Sequence, residues 1–141
     1  MSRIDPVAIV TGGSCGIGRE IARELASRGY AVVVVYLRDQ GEAETAVEEI
    51  LAANGTALAV RADVTDGLDV ERLFTETAAA FGGVDVVVHA ALRGSSVVDR
   101  QAADRLRPGG LIVNALEPPG THHDVAELLA FLDRWRRGPG S

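Results

Sequence analysis

The stretch "IVTGGSCGIGRE", Ile9–Glu20, puts four glycines between the end of an apolar run and the start of a helical pattern. A strand that stops at such a turn and reopens as a helix leaves the helix N-terminal N–H groups unpaired and facing outward. Those groups and the helix dipole favour a phosphate. Glycine has no Cβ, so one glycine lets the backbone approach a ligand and another lets helix lie close to strand. The spacing is Gly12-x-x-x-Gly16-x-Gly18, which differs from the common G-x-G-x-x-G dinucleotide turn. Cys15 lies within it, and a thiol at a helix N-terminus has a lowered pKa, which would suit an oxidant sensor; a small loop residue is the plainer alternative.

Outward from this turn, β-branched runs alternate with helical patterns. "VAIVT" (Val7–Thr11), "AVVVVY" (Ala31–Tyr36), "TALAVRA" (Thr56–Ala62), "VDVVVHA" (Val84–Ala90) and "LIVNAL" (Leu111–Leu116) read as strands. They are apolar on both faces, as a parallel sheet buried between two helical layers requires. Helices are expected at Ile17–Ser27, Glu42–Ala53, Asp66–Phe81, Ser95–Leu106 and Thr121–Arg136. "NG" and Gly82-Gly83 provide stops, and the arginines after Leu132 suit a helix C-terminus. With right-handed crossovers the alternation predicts an α/β fold with one doubly wound, Rossmann-like parallel sheet, its five strands in the order 3-2-1-4-5.

The composition fits one domain. The chain has 141 residues, 47% hydrophobic and 24% charged, and neither a repeat nor a linker. Residues 1–137 form the expected domain and 138–141 a disordered tail. A formal charge of −6 argues against nucleic acid or an acidic membrane surface as partner. All 14 basic residues are arginine. One cysteine makes no internal disulfide, the apolar run after Arg3 and Asp5 is too short for a leader, and "YAVVVVYL" is too short to span a bilayer. A cytoplasmic location is the expectation.

"TGGSCGIG" resembles the T-G-x-x-x-G-x-G cofactor turn of the short-chain dehydrogenase/reductase family. "RADVTD" (Arg61–Asp66) is similar to the family's segment after the third strand, and "VDVVVHAA" to its N-N-A-G strand. The resemblance covers nearly the whole chain. It implies that Gly12, Ser14, Gly16, Ile17 and Gly18 cradle a pyrophosphate, with Cys15 in the same turn, and that Asp63 and Val64 face the adenine. Arg38 stands where the family reads a 2′-phosphate, which implies NADP(H) in preference to NAD(H). NADP-preferring relatives often carry a second basic residue in the turn, where this chain has Cys15; a solvated surface charge is the plainer account of Arg38.

The family's catalytic set does not carry over. Its serine position after the fifth strand is filled by Leu116 or Glu117, its Tyr-x-x-x-Lys pair has no counterpart, and the chain has no lysine. Tyr30 and Tyr36 flank the second strand, away from the nicotinamide position. His89, Ala90 and Leu92 replace the two asparagines and the glycine of N-N-A-G. His89, at the carboxyl end of the fourth strand, is the best proton-transfer candidate, or else a cofactor-contacting or structural residue, as is Ala90 beside it. Glu117 is the carboxylate placed as a general base, or else an ordinary loop acid. His122 and His123 are adjacent on a helix, point apart, and make a poor metal pair, so no metal is expected.

Two classes of function remain. One is an oxidoreductase of the family, or a repurposed enzyme using His89 or Glu117, with an unknown small-molecule substrate. The other is a noncatalytic cofactor-sensing or partner-binding protein. A homodimer is expected, because a fifth strand ending the sheet leaves an open apolar edge. The helix before it offers Val97, Val98, Ala102 and Leu106, and the resembling helix in the family often packs on a second subunit. The last helix, through Leu128, Leu129 and Leu132, is the competing cover for that edge.

Overall fold

The structure, a computed structural model, describes residues 5–14, 16–90, 95–115 and 125–137. Strands β1 (Val7–Thr11), β2 (Ala31–Tyr36), β3 (Thr56–Arg61), β4 (Val84–His89) and β5 (Leu106–Asn114) alternate with α1 (Gly16–Ser27), α2 (Gln40–Ala52), α3 (Gly67–Phe81), α4 (Ser95–Arg105) and α5 (Val125–Arg137). All strand pairs are parallel and the order is 3-2-1-4-5, as expected from the alternation.

The unbroken valine runs are explained by burial on both faces. Ala8, Val10, Val32, Val34, Val86 and Val88 pack with Ile21 and Leu25 of α1, Ala43 and Ile50 of α2, and Leu129 and Leu132 of α5. Their alternates Ile9, Val33, Val35 and Val87 pack with Val70, Leu73 and Phe74 of α3 and Val98 and Ala102 of α4. A side-chain period of two therefore divides the chain into two cores, one on each face of the sheet.

Helix ends fall where the local chemistry puts them. Asp66 caps α3, its carboxylate accepting from the N–H of Leu68 at 2.9 Å and of Asp69 at 3.3 Å. Gly82 closes α3 at φ 91°, a left-handed conformation that favours glycine, and donates to the Ala78 carbonyl at 2.8 Å.

The fifth strand departs from expectation. "RPGG" reads as a stop, yet β5 begins at Leu106 and runs through it. Val84 pairs with Leu106 while Val86 pairs with Leu111, so β5 carries extra residues in a bulge. Proline and paired glycines are tolerated because β5 is an edge strand, where a missing N–H costs no ladder bond. The bulge is tied down on both sides. Arg107 donates to Asp85 at 3.1 Å and to the Phe81 carbonyl at 3.2 Å, and the Trp135 indole donates to Gly109 at 3.1 Å. Asp85 also accepts from the Val7 N–H at 2.8 Å, linking β1, β4 and β5.

Strand β5 ends at Asn114 instead of Leu116, and α4 ends at Arg105. Leu116, the expected helix start at residues 121–124 and the tail at 138–141 lie outside the described residues. Helix α5 covers the α1 face of the sheet, not the outer edge of β5, which has no strand partner among the described residues.

Candidate cofactor site

The strand order places the switch point of the sheet between β1 and β4, and ligands of doubly wound sheets bind beyond the carboxyl ends of the strands there. The glycine turn rises from β1 at that point. Gly12 sits at φ 68° and Gly16 at φ 60°, conformations that other residues adopt only at a cost. Gly18 is required by contact: a Cβ there would collide with the Gly12 carbonyl group. A Cβ on Gly16 would meet nothing within 4 Å, so open space lies before the first turn of α1. Gly13 and Ser14 are buried beneath the turn and Ile17 is half-buried. The turn thus leaves open space at the N-terminal end of α1, where helix N–H groups favour an anion.

At the carboxyl ends of β2 and β3, Arg38 is exposed and Asp63 and Val64 are half-buried. Asp63 closes a turn on Thr65, accepting from its hydroxyl at 2.6 Å and its N–H at 2.9 Å. These two hydrogen bonds hold the Asp63 carboxyl below the usual aspartate range against desolvation, and the charges of Arg38 and Arg61 act in the same direction as the hydrogen bonds. The Asp63 N–H in turn donates to Asp69 at 2.8 Å.

On the other side of β1, His89 is 2% exposed. Its Nε2 lies 2.7 Å from Asp99 Oδ1, and its Nδ1 makes a long 3.5 Å contact with the Thr11 hydroxyl. In the neutral ring, Nε2–H donates to the carboxylate and Nδ1 accepts from Thr11, the first residue of the turn motif. The imidazole thus links β1, β4 and α4. Ala90 donates its N–H to the Thr11 carbonyl at 3.0 Å.

A cavity of about 440 Å³ lies between α1, β5 and α5, lined by Ile17, Ile21, Val113, Ala115, Leu128 and Phe131 among others, with Asn114, Glu127 and Arg134 as polar members. Through Ile17 it adjoins the glycine turn. The tyrosines are not among the lining residues. Tyr30 precedes β2 at the amino-terminal end of the sheet, 1% exposed, and Tyr36, the last residue of β2, packs half-buried against the α1 and α2 core.

Cys15, Glu117, His122 and His123 fall outside the described residues. Among the described residues no group of three His, Cys, Asp or Glu side chains is placed to hold a metal, and no helix is long and apolar enough to cross a membrane. Sequence reasoning missed Asp99, which lies ten residues from His89 with no motif to mark it.

Comparison with known proteins agrees with this geometry. The family model for short chain dehydrogenases matches residues 6–105. The short-chain dehydrogenase/reductase homolog YusS of Bacillus subtilis is 43% identical over 89 residues, which are 63% of this chain and 82% of that protein. The 3-oxoacyl-(acyl-carrier-protein) reductase FabG of Staphylococcus epidermidis is 45% identical over 82 residues, 58% of this chain and 34% of that enzyme. The chain thus spans about a third of that reductase. Among solved structures, a dehydrogenase/reductase from Sinorhizobium meliloti 1021 superposes with TM-score 0.75 at 32% identity, covering 93% of this chain and 65% of that one. A short chain dehydrogenase from Burkholderia cenocepacia J2315, solved in complex with NADP, gives TM-score 0.72 at 30% identity, covering 97% and 68%.

Proposed function

The chain belongs to the short-chain dehydrogenase/reductase family, and from that premise we propose that it is an NADP(H)-binding member working without the family's serine and Tyr-x-x-x-Lys residues. The observation that carries this is the glycine cradle: Gly12 and Gly16 at positive φ, Gly18 against the Gly12 carbonyl, and open space before α1. Gly12, Ser14, Gly16, Ile17 and Gly18 hold the pyrophosphate on the first N–H groups of α1, with Cys15 in the same turn. Asp63 and Val64 face the adenine, Arg38 the 2′-phosphate, and Ala90 with His89 the far side of the site. When bound, the nicotinamide ring supplies a hydride donor or acceptor. The cavity beside Ile17 offers apolar walls to that half of the cofactor. His89, buried between Thr11 and Asp99, positions the turn instead of exchanging protons with a substrate.

A noncatalytic cofactor-sensing or partner-binding role is the second reading; in its support, the residues given include no lysine, and Tyr30 is fully buried before the start of β2. A repurposed enzyme using His89 or Glu117 is the alternative. The protein acts in the cytoplasm and as a homodimer, the latter supported by the open edge of β5.

Titration calorimetry with both coenzymes tests the binding. NADP(H) is expected to bind more tightly, and Arg38→Glu to abolish the difference by removing a charge-assisted contact worth roughly 1.5–3 kcal/mol. No heat with either coenzyme at millimolar concentration would sink the proposal. The same samples, followed for NADPH oxidation against a panel of ketones, should show none; turnover would restore the enzyme reading.

A further inference from the structure

We propose that Asp99 of α4 is a positioning residue for the glycine turn, acting through His89 on Thr11. This deepens the cofactor proposal and rests on it.

The strand pairing puts the three residues in line. Thr11 and His89 stand opposite one another on β1 and β4, each two residues after one that packs on the α3 and α4 face, Ile9 and Val87. Strands alternate their faces, so both side chains point toward α4. That helix is seated by Val98 and Ala102, both fully buried, and by Gln101, whose amide donates to the Gly67 carbonyl of α3 at 3.3 Å. Asp99, next to Val98, is thereby held with its Oδ1 2.7 Å from His89 Nε2. The His89 backbone is tied on both sides as well. Ala90 donates to the Thr11 carbonyl at 3.0 Å, and Ala115 donates to the His89 carbonyl at 2.9 Å.

Each link passes one constraint to the next. A carboxylate only accepts, so the Nε2 facing Asp99 carries a proton; in the neutral ring Nδ1 is then the acceptor and takes the Thr11 hydroxyl, at 3.5 Å. With Asp99 removed, the ring proton is free to move to Nδ1, and the Thr11 hydroxyl has to turn away. Thr11 precedes Gly12, at φ 68°, whose carbonyl lies against Gly18, so a shift at Thr11 reaches the first turn of α1. Threonine, histidine and aspartate are also the makings of a nucleophile, its base and an orienting acid. Here Thr11 is 1% and His89 2% exposed, which keeps a substrate from the hydroxyl, so the set orders backbone instead. Asp99, its side chain 46% exposed, is the member that faces solvent. The resembling family has asparagine at position 89; imidazole carries two nitrogens facing different ways, and so reaches both β1 and α4.

Nuclear magnetic resonance with isotope-labelled histidine, and calorimetry with NADP⁺ and NAD⁺, test this on the unaltered chain, Asp99→Ala, His89→Asn and the double variant. Alanine is the best helix former and Asp99 is half exposed, so α4 is expected to persist, which a thermal melt of each variant checks. At mildly alkaline pH the His89 signals, assigned by their loss in His89→Asn, should show a protonated Nε2 and a bare Nδ1. In Asp99→Ala they should show both tautomers. Asp99→Ala should weaken NADP⁺ and NAD⁺ alike, about tenfold, because it acts on the turn they share. Added to His89→Asn it should change either affinity by no more than about twofold. A proton on Nδ1 in the unaltered chain overturns the proposal whatever the variants do. Unchanged tautomer or unchanged coenzyme affinity in Asp99→Ala overturns it and leaves the cofactor proposal standing. A tenfold loss in both backgrounds overturns the route through His89. An unaltered chain that binds neither coenzyme overturns the cofactor proposal and the role of Asp99 with it, even where the tautomer is as expected.

Discussion

Tyr30 is nearly fully buried, with the Arg136 guanidinium 5.2 Å from its ring centroid, and its hydroxyl has no hydrogen-bond partner among the described residues. Burial pushes the phenol above its ordinary value of 10.0, with the Arg136 charge opposing. A raised folded value means that the unfolded chain loses its proton first. Stability is therefore intact below pH 10 and falls as pH rises through the folded value. Tyr30→Phe keeps the ring and removes both the unpaired hydroxyl and the titration. The expected outcome is a neutral-pH thermal midpoint unchanged or raised, by at most about 1 kcal/mol of stability, and a smaller alkaline loss. A clear drop in the melt at pH 7 would show that the hydroxyl is satisfied. Asp63 has the opposite sign: its lowered carboxyl favours the fold above 3.8, a contribution lost as pH falls through the folded value.

Helix α4 shows an apolar stripe taken up by the chain's own core. Val97, Val98, Ala102 and Leu106 read from sequence as a possible subunit contact, but Val98 and Ala102 are fully buried in the chain's own core against the sheet and α3. They have no surface left to offer. Val98→Arg should lower the thermal midpoint at every protein concentration, because it places an unpaired charge in that core at a cost of several kcal/mol. Loss of stability only on dilution would instead return the contact to a partner. Periodicity identified the apolar face; it carried no information on which chain covers it.

For the whole molecule, one edge of the sheet bears on the proposed assembly. The first part of β5 is protected by Pro108 and the bulge, whereas residues 111–113, Leu-Ile-Val, have no charge, proline or bulge on an edge with no strand partner among the described residues. Helix α5 takes the face beside it, tied to the residue after α1 by the Arg28–Asp133 pair at 3.3 Å and packed through Leu129 and Leu132 into the core shared with α1. Pairing of two such edges is the expected route to the proposed homodimer. Light scattering coupled to gel filtration at micromolar concentration should give twice the chain mass of 14.8 kDa. A monomer would mean that the bulge and α5 suffice to guard the edge.

The sheet, its strand order and the glycine turn are legible in the residues alone, because these rest on local facts. Alternating β-branched runs must be buried on both faces, right-handed crossovers leave one winding, and Gly12, Gly16 and Gly18 are needed by backbone geometry within seven residues of one another. The tertiary structure alone decided what depends on distant residues meeting. It turned "RPGG" from a stop into a bulge, since only an edge strand braced by Asp85 and Trp135 tolerates it. It joined His89 to Asp99 and Thr11 across three elements. It also set Arg61 opposite Tyr36 at the end of β2, a register fixed by strand pairing and written nowhere in the local spacing.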